Sequence, residues 1–163
     1  MVTSRSAGTI ILLASVIVVG TALGTQYLGG LQACELCLYE RWPYYAAIVL
    51  GVLALPIRSP RLHRLVFRLW VLIFAASALL ALYHVAVEHH WLAGPAACTG
   101  SLAQAGSVEA LQRALEGRQP VACDVPQWSY RGVTLAGLNL AASIVLVLLS
   151  LWALNRRRFG RRR

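Results

Sequence analysis

The chain has 163 residues, 58% of them hydrophobic, and a mean hydropathy of +0.64; it is too apolar for a soluble domain and too short for several independent ones. Its formal charge of +9 comes from 15 arginines set against 6 acids. On a nucleic-acid-binding protein such charge would cover a polar folded face, whereas here it flanks long apolar runs, which argues against nucleic acid and for a single integral membrane domain spanning 1–163.

The first run, Gly8 to Leu28, holds 21 uncharged residues behind Arg5, enough at ~1.5 Å per residue to cross a hydrocarbon core of ~30 Å. It exceeds the ~7 to 15 residues of a signal-peptide core, so a retained helix is expected. Gly20 and Gly24 form a small-x-x-x-small pair suited to close helix contact.

The loop 29–41 carries Cys34 and Cys37, with Arg41 four residues on. Cysteines three apart can close a disulfide, and a helix N-terminus favours their thiolates, so the pair is a candidate redox centre. Zinc would need a second C-x-x-C, which Cys98 and Cys123 do not supply, and haem attachment would need histidine where Leu38 stands. A purely structural bond closing so small a loop would restrict the unfolded chain little. On a helix, Arg41 would share a face with Cys37 and lower its pKa; the competing role is a snorkelling anchor in the aromatic belt of Trp42, Tyr44 and Tyr45. Pro43 suits the first helical turn, which would start the helix near Trp42 and leave the cysteines in the lead-in.

A second span, 42–57, is short at ~24 Å. Arg58, Arg61, His63, Arg64 and Arg68 follow in what reads as a cytoplasmic loop. The third span, 69–87, contains His84, for which a backbone carbonyl or a headgroup is the ordinary partner and a proton relay the alternative. His89 and His90 do not face one way on a helix, so no metal site is expected.

The loop 88–132 is polar, is punctuated by Gly94, Pro95, Pro120 and Pro126, and holds Cys98 and Cys123. Within it Ser101 to Gly117 reads as a short amphipathic helix that docks on the membrane surface or, as the alternative, packs within the loop. The fourth span, 133–154, precedes an arginine tail. Of the 15 arginines, 11 fall on one side of the four spans, which predicts cytoplasmic termini and both cysteine loops outside.

Two cysteine pairs on one face suggest a thiol–disulfide relay, although four cysteines pair in three ways. Without a G-x-G-x-x-G unit or a haem or iron–sulfur ligand set, the electrons would leave by a lipid-soluble acceptor.

The segments C-E-L-C-L-Y-E-R (Cys34 to Arg41), Y-H-V-A-V-E (Tyr83 to Glu88), G-P-A-A-C-T-G (Gly94 to Gly100) and C-D-V-P-Q-W (Cys123 to Trp128) make the chain resemble the bacterial DsbB family over nearly its whole length. The resemblance implies an all-α, four-helix transmembrane bundle in the bacterial inner membrane, with two periplasmic cysteine-bearing loops. It also implies a thiol–quinone oxidoreductase that re-oxidises a DsbA-like periplasmic partner. Cys98 and Cys123 would form the disulfide that meets that partner, Cys98 being attacked first, and Cys123 would then attack Cys34. Cys37 would be the thiolate beside a ubiquinone or menaquinone, and Arg41 would assist the quinone. Glu35, inside the C-x-x-C, would raise both thiol pKa values. A reductase of the vitamin K epoxide reductase type and a membrane scaffold with structural disulfides are the rival readings.

Overall fold

The computed structural model describes residues 4–95, 98, 107–108 and 121–159. It is mostly helical: α1 (Ser4–Tyr27), α2 (Glu35–Tyr39), α3 (Arg41–Ala54) and α4 (Pro60–Glu88), a hairpin of β1 (Ser129–Tyr130) and β2 (Val133–Thr134), and α5 (Leu135–Phe159). Three stretches are long and apolar enough to cross a membrane: Ser6–Tyr27, Pro60–Glu88 and Leu135–Asn155. Large aliphatic side chains such as Ile17, Leu72 and Val145 stay exposed along them, as lipid contact requires.

α3 differs from the expected 42–57 span. It has 14 residues, ~21 Å of helix, and closes on a tightened bond from Leu55 N–H to the Val52 carbonyl at 3.1 Å. Pro56 follows and has no N–H with which to extend it.

The basic cluster is not a loop. Pro60 stands in the first turn of α4, where its fixed φ suits a helix start, so Arg61, His63, Arg64 and Arg68 lie on the helix and only 55–59 connects it to α3. The fourth expected span also begins late, because Tyr130 and Val133 pair across a two-residue turn. Its central residues, Arg131 and Gly132, have φ of 50° and 81°, the twist that tight hairpins need. Thr134 then caps α5, its Oγ1 accepting the Gly137 N–H at 3.1 Å. Of the expected helix 101–117, all but Ser107 and Val108 lies outside the described residues.

At one end Ala7, Ile11, Ala47, Phe67, Trp70 and Phe74 pack as a core, with the Trp70 indole N–H donated to the Ala47 carbonyl at 3.1 Å. The close helix approach is at Gly51, where a Cβ would lie 3.0 Å from Leu12 Cδ1 and 3.2 Å from Trp70 Cζ2. The Gly20 and Gly24 pair makes no such approach, with nothing within 4 Å of either Cβ position. At the other end a smaller buried cluster joins Cys34, Leu36, Val87, Cys98 and Cys123.

Candidate active site

α2 is a single turn built on the first cysteine. Cys34 has extended backbone (φ −72°, ψ 170°) and is its N-cap; its Sγ accepts the Cys37 backbone N–H at 3.2 Å, and its carbonyl accepts the Leu38 N–H at 3.1 Å. The pair therefore has its own helical turn instead of lying in the lead-in to α3, and Pro43 sits inside the first turn of α3. The two sulfurs are 2.6 Å apart and form no disulfide, whereas Cys98 and Cys123 are joined, with Cα atoms 5.1 Å apart.

The hydrogen bond from the Cys37 thiol holds the Cys34 pKa below its ordinary value, helped by the Cys37 backbone N–H and opposed by burial and by the Glu40 charge. The same hydrogen bond, burial and the charge on Cys34 push the Cys37 thiol far up. These directions favour the thiolate on Cys34 when both thiols are free; the Cys37 thiolate that the resemblance implies belongs to the state in which Cys34 is held in a mixed disulfide. The carboxylate that bears on the pair is Glu40; Glu35 instead bonds Tyr39, whose phenol it raises.

Arg41 faces α1. Its Nη1 donates to Gln26 Oε1 at 2.6 Å and its Nη2 to the Ala22 carbonyl at 3.4 Å, while its buried Nε has no partner among the described residues. The largest influences on the two thiols are their mutual hydrogen bond and burial, and the bonds of Arg41 run to α1. Arg41 nonetheless lines the same cavity as Cys34, Cys37 and Cys123, a space of about 280 Å³ walled by aliphatic residues of α1 and α5.

His84 and Glu40 are both buried in this cluster, 2% and 6% exposed, which for a histidine and a glutamate demands partners. His84 Nδ1 lies 2.8 Å from Glu40 Oε1, and its Nε2 lies 3.6 Å from Cys34 Sγ. Glu40 Oε2 accepts from Asn139 Nδ2 at 2.8 Å, and Asn139 Oδ1 accepts from the Tyr44 hydroxyl at 2.7 Å. Tyr44 and Ser143 lie 2.9 Å apart, as do Ser143 and Ser77. His84 is therefore not satisfied by a carbonyl or a headgroup, as expected, but by a carboxylate and a sulfur. Sequence reading missed Glu40, Tyr44, Ser77, Asn139 and Ser143. A usable signal was present: Ser77 and His84 are seven apart and Asn139 and Ser143 four apart, which places each pair on one helix face inside an apolar span.

Cys34, Cys37 and His84 bring two sulfurs and an imidazole nitrogen within 4.8 Å of one another, three donors where a structural zinc site takes four. Closing the cysteines into a disulfide removes two of the three, so metal binding and redox exchange at this pair exclude each other. His89 stacks on Trp91 with centroids 5.1 Å apart, and His90 has φ of 57°; the adjacent histidines form no joint clip.

The chain is 27% identical over 136 residues to the uncharacterized protein RP370 of Rickettsia prowazekii (strain Madrid E), covering 82% of this chain and 78% of that protein. No solved structure matches. The family profile for disulfide bond formation protein DsbB matches residues 4–153, the stretch that contains all four cysteines, Arg41 and the helices that hold them. With that match running over almost the whole chain, the protein belongs to the DsbB family of disulfide-forming membrane proteins.

Proposed function

We propose that this protein is a thiol–quinone oxidoreductase of the bacterial inner membrane that re-oxidises a periplasmic, thioredoxin-like dithiol oxidase of the DsbA type. The observation that carries the reading is the packing of both cysteine pairs in one cluster, with Cys34, Cys98 and Cys123 buried and Cys37 half-buried, one pair joined and one free, against a cavity that also holds Arg41. The partner's thiolate attacks Cys98, and Cys123 is released as a thiolate. Cys123 then attacks Cys34, and Cys37 is displaced. The partner's second thiol then displaces Cys98 from its mixed disulfide, and Cys98 attacks Cys123 and displaces Cys34, so the partner finishes oxidised, Cys98–Cys123 is restored, and the Cys34–Cys37 pair, a disulfide when the cycle starts, finishes as a dithiol.

The aliphatic wall and an arginine with a spare buried N–H fit a flat, apolar acceptor whose oxygens gain negative charge. Arg41 and the α1 wall would hold a ubiquinone or menaquinone there, and that group supplies a lipid-soluble acceptor for two electrons and two protons. Cys34 and Cys37 return to the disulfide by giving up those electrons and protons. The arginine distribution, with 11 of 15 on one side of the spans, supports cytoplasmic termini and periplasmic cysteines.

The test mixes purified protein with a reduced thioredoxin-like oxidase and a water-soluble quinone analogue and follows quinone absorbance. Quinone loss matched one to one by oxidase disulfide is expected. Slow, incomplete reduction of both cysteine pairs with no quinone loss would assign them to structural bonds, and net transfer from quinol to the oxidase would make the protein a reductase.

A further inference from the structure

The chain of buried polar groups behind Cys34 has a direction, which follows from counting hydrogens. Tyr44 gives its one hydroxyl proton to Asn139 Oδ1, so in its 2.9 Å contact with Ser143 it must accept. Ser143 has then used its own proton, so Ser77 donates to Ser143. Every donor points toward Glu40, both of whose oxygens accept, one from Asn139 and one from His84. A carboxylate that only accepts requires the proton on Nδ1 of His84, and the neutral ring then turns its Nε2 lone pair to Cys34 Sγ, 3.6 Å away. The Asn139 amide is a poor proton carrier, so the deeper chain supports the Glu40 charge and leads no proton away.

We propose that His84 is the proton acceptor of the Cys34 thiol and that Glu40, held by Asn139, is the positioning residue that fixes the His84 tautomer and makes its imidazolium tolerable inside the membrane. This rests on the relay proposed above. In the reduced pair Cys34 is a thiolate against protonated His84, and Cys37 keeps its proton. When the pair closes, the Cys34 and Cys37 sulfurs form the S–S bond and two electrons leave with the quinone. The two protons released with them, one from His84 and one from Cys37, would go to the same two-electron, two-proton acceptor. The titratable and charged groups around His84 are Glu40 from the α2–α3 junction, Cys34 and Cys37 from α2, and Glu88 on α4 itself, with Arg41 lining the same cavity; α5 contributes only the uncharged Asn139.

The experiment uses full-length protein with Cys37→Ala, so that Cys34 is the free thiol and Cys98–Cys123 stays joined. Alkylation of Cys34 by iodoacetamide is followed from pH 5 to 10 by mass spectrometry. Loss of the acceptor raises the thiol pKa, and the thiolate fraction then falls more steeply than the intrinsic reactivity of the remaining thiolate rises. His84→Gln should therefore slow alkylation about tenfold at pH 7 and overtake the parent at high pH, where every thiol is ionised and the more basic thiolate reacts faster, and Glu40→Gln should shift the profile the same way by less. Superimposable profiles in the two variants overturn the proposal, because a merely structural role would lower stability without moving the pH profile. On the unsubstituted chain, nitrogen-15 histidine spectra serve where a variant fails to fold. His84 should be protonated at neutral pH in the dithiol form and neutral with Nδ1–H in the disulfide form; one ionisation state in both overturns the proposal. Neither readout contains quinone or partner protein, so failure of the relay assay and failure of this inference are separable.

Discussion

Replacing Arg41 by lysine separates a site residue from an interface anchor. The guanidinium spends Nη1 and Nη2 on α1 and keeps a buried Nε–H in reserve. Lysine has three donors on a compact, strongly hydrated charge, so it can renew the Gln26 bond but cannot also present the fixed planar fork. The loss is one charge-assisted hydrogen bond to an acceptor that becomes negative in a low dielectric, about 1.5 to 3 kcal/mol. Converted, that is roughly tenfold to a hundredfold in kcat/KM for quinone, with Arg41→Ala lower still. The exchange from the soluble partner to Cys98–Cys123 should be preserved, since the hydrogen bonds of Arg41 run to Gln26 and Ala22 on α1. Gln26→Leu removes only the clamp and should cost less, about 1 kcal/mol. The assay is stopped-flow quinone reduction at matched membrane insertion, with partner oxidation measured separately. Wild-type quinone kinetics in both Arg41 variants would refute the reasoning and return the residue to anchoring.

In the reduced chain, the lowered Cys34 pKa contributes stability that is present near the ordinary value of 9.0 and is lost as pH falls through the lowered value. The raised Cys37 thiol has the opposite sign and costs stability above 9.0, so thermal unfolding against a Cys34→Ala/Cys37→Ala control should show the greatest margin near pH 9. Gly51→Val should destabilise by about 1 to 3 kcal/mol through Leu12 and Trp70, whereas Gly20→Val, facing open space, should not; denaturant titration in mixed micelles checks both. Thr134 caps α5 and donates to Glu88 Oε2 at 2.6 Å, so Thr134→Ala should cost about 0.5 to 2 kcal/mol and Thr134→Ser much less, measured the same way.

The apolar runs and their arginine flanks were legible because hydropathy and charge act through composition, without regard to partners. The boundaries that failed did so for local reasons. Pro60 extends α4 into residues that read as a loop, Pro56 ends α3 early, and the Arg131–Gly132 turn takes Val133 and Thr134 for a hairpin. The cysteines were plain in the sequence, as was Arg41, but its direction was not, because the choice between Cys37 and Gln26 depends on how α1 packs. Glu40 escaped notice since its partners His84 and Asn139 are 44 and 99 residues away, separations over which no spacing rule operates.

The seam from Ser77 through Ser143 and Tyr44 to Asn139 has a consequence for how the helices are aligned. Leucine, valine and alanine faces in lipid are nearly interchangeable, and a helix can turn by a residue or slide by part of a turn with little change in van der Waals contact. The seam does not allow this. It takes one residue from α3 and two from each of α4 and α5 if His84 at its end is counted, and every hydroxyl has a single proton to give. Rotating α3 by one residue, about 100°, would strand a buried phenol and an amide together, each costing about 1 to 3 kcal/mol. The polar line thus acts as a key that admits one rotational setting of three otherwise greasy cylinders, and the setting it admits is the one that brings Glu40 to His84.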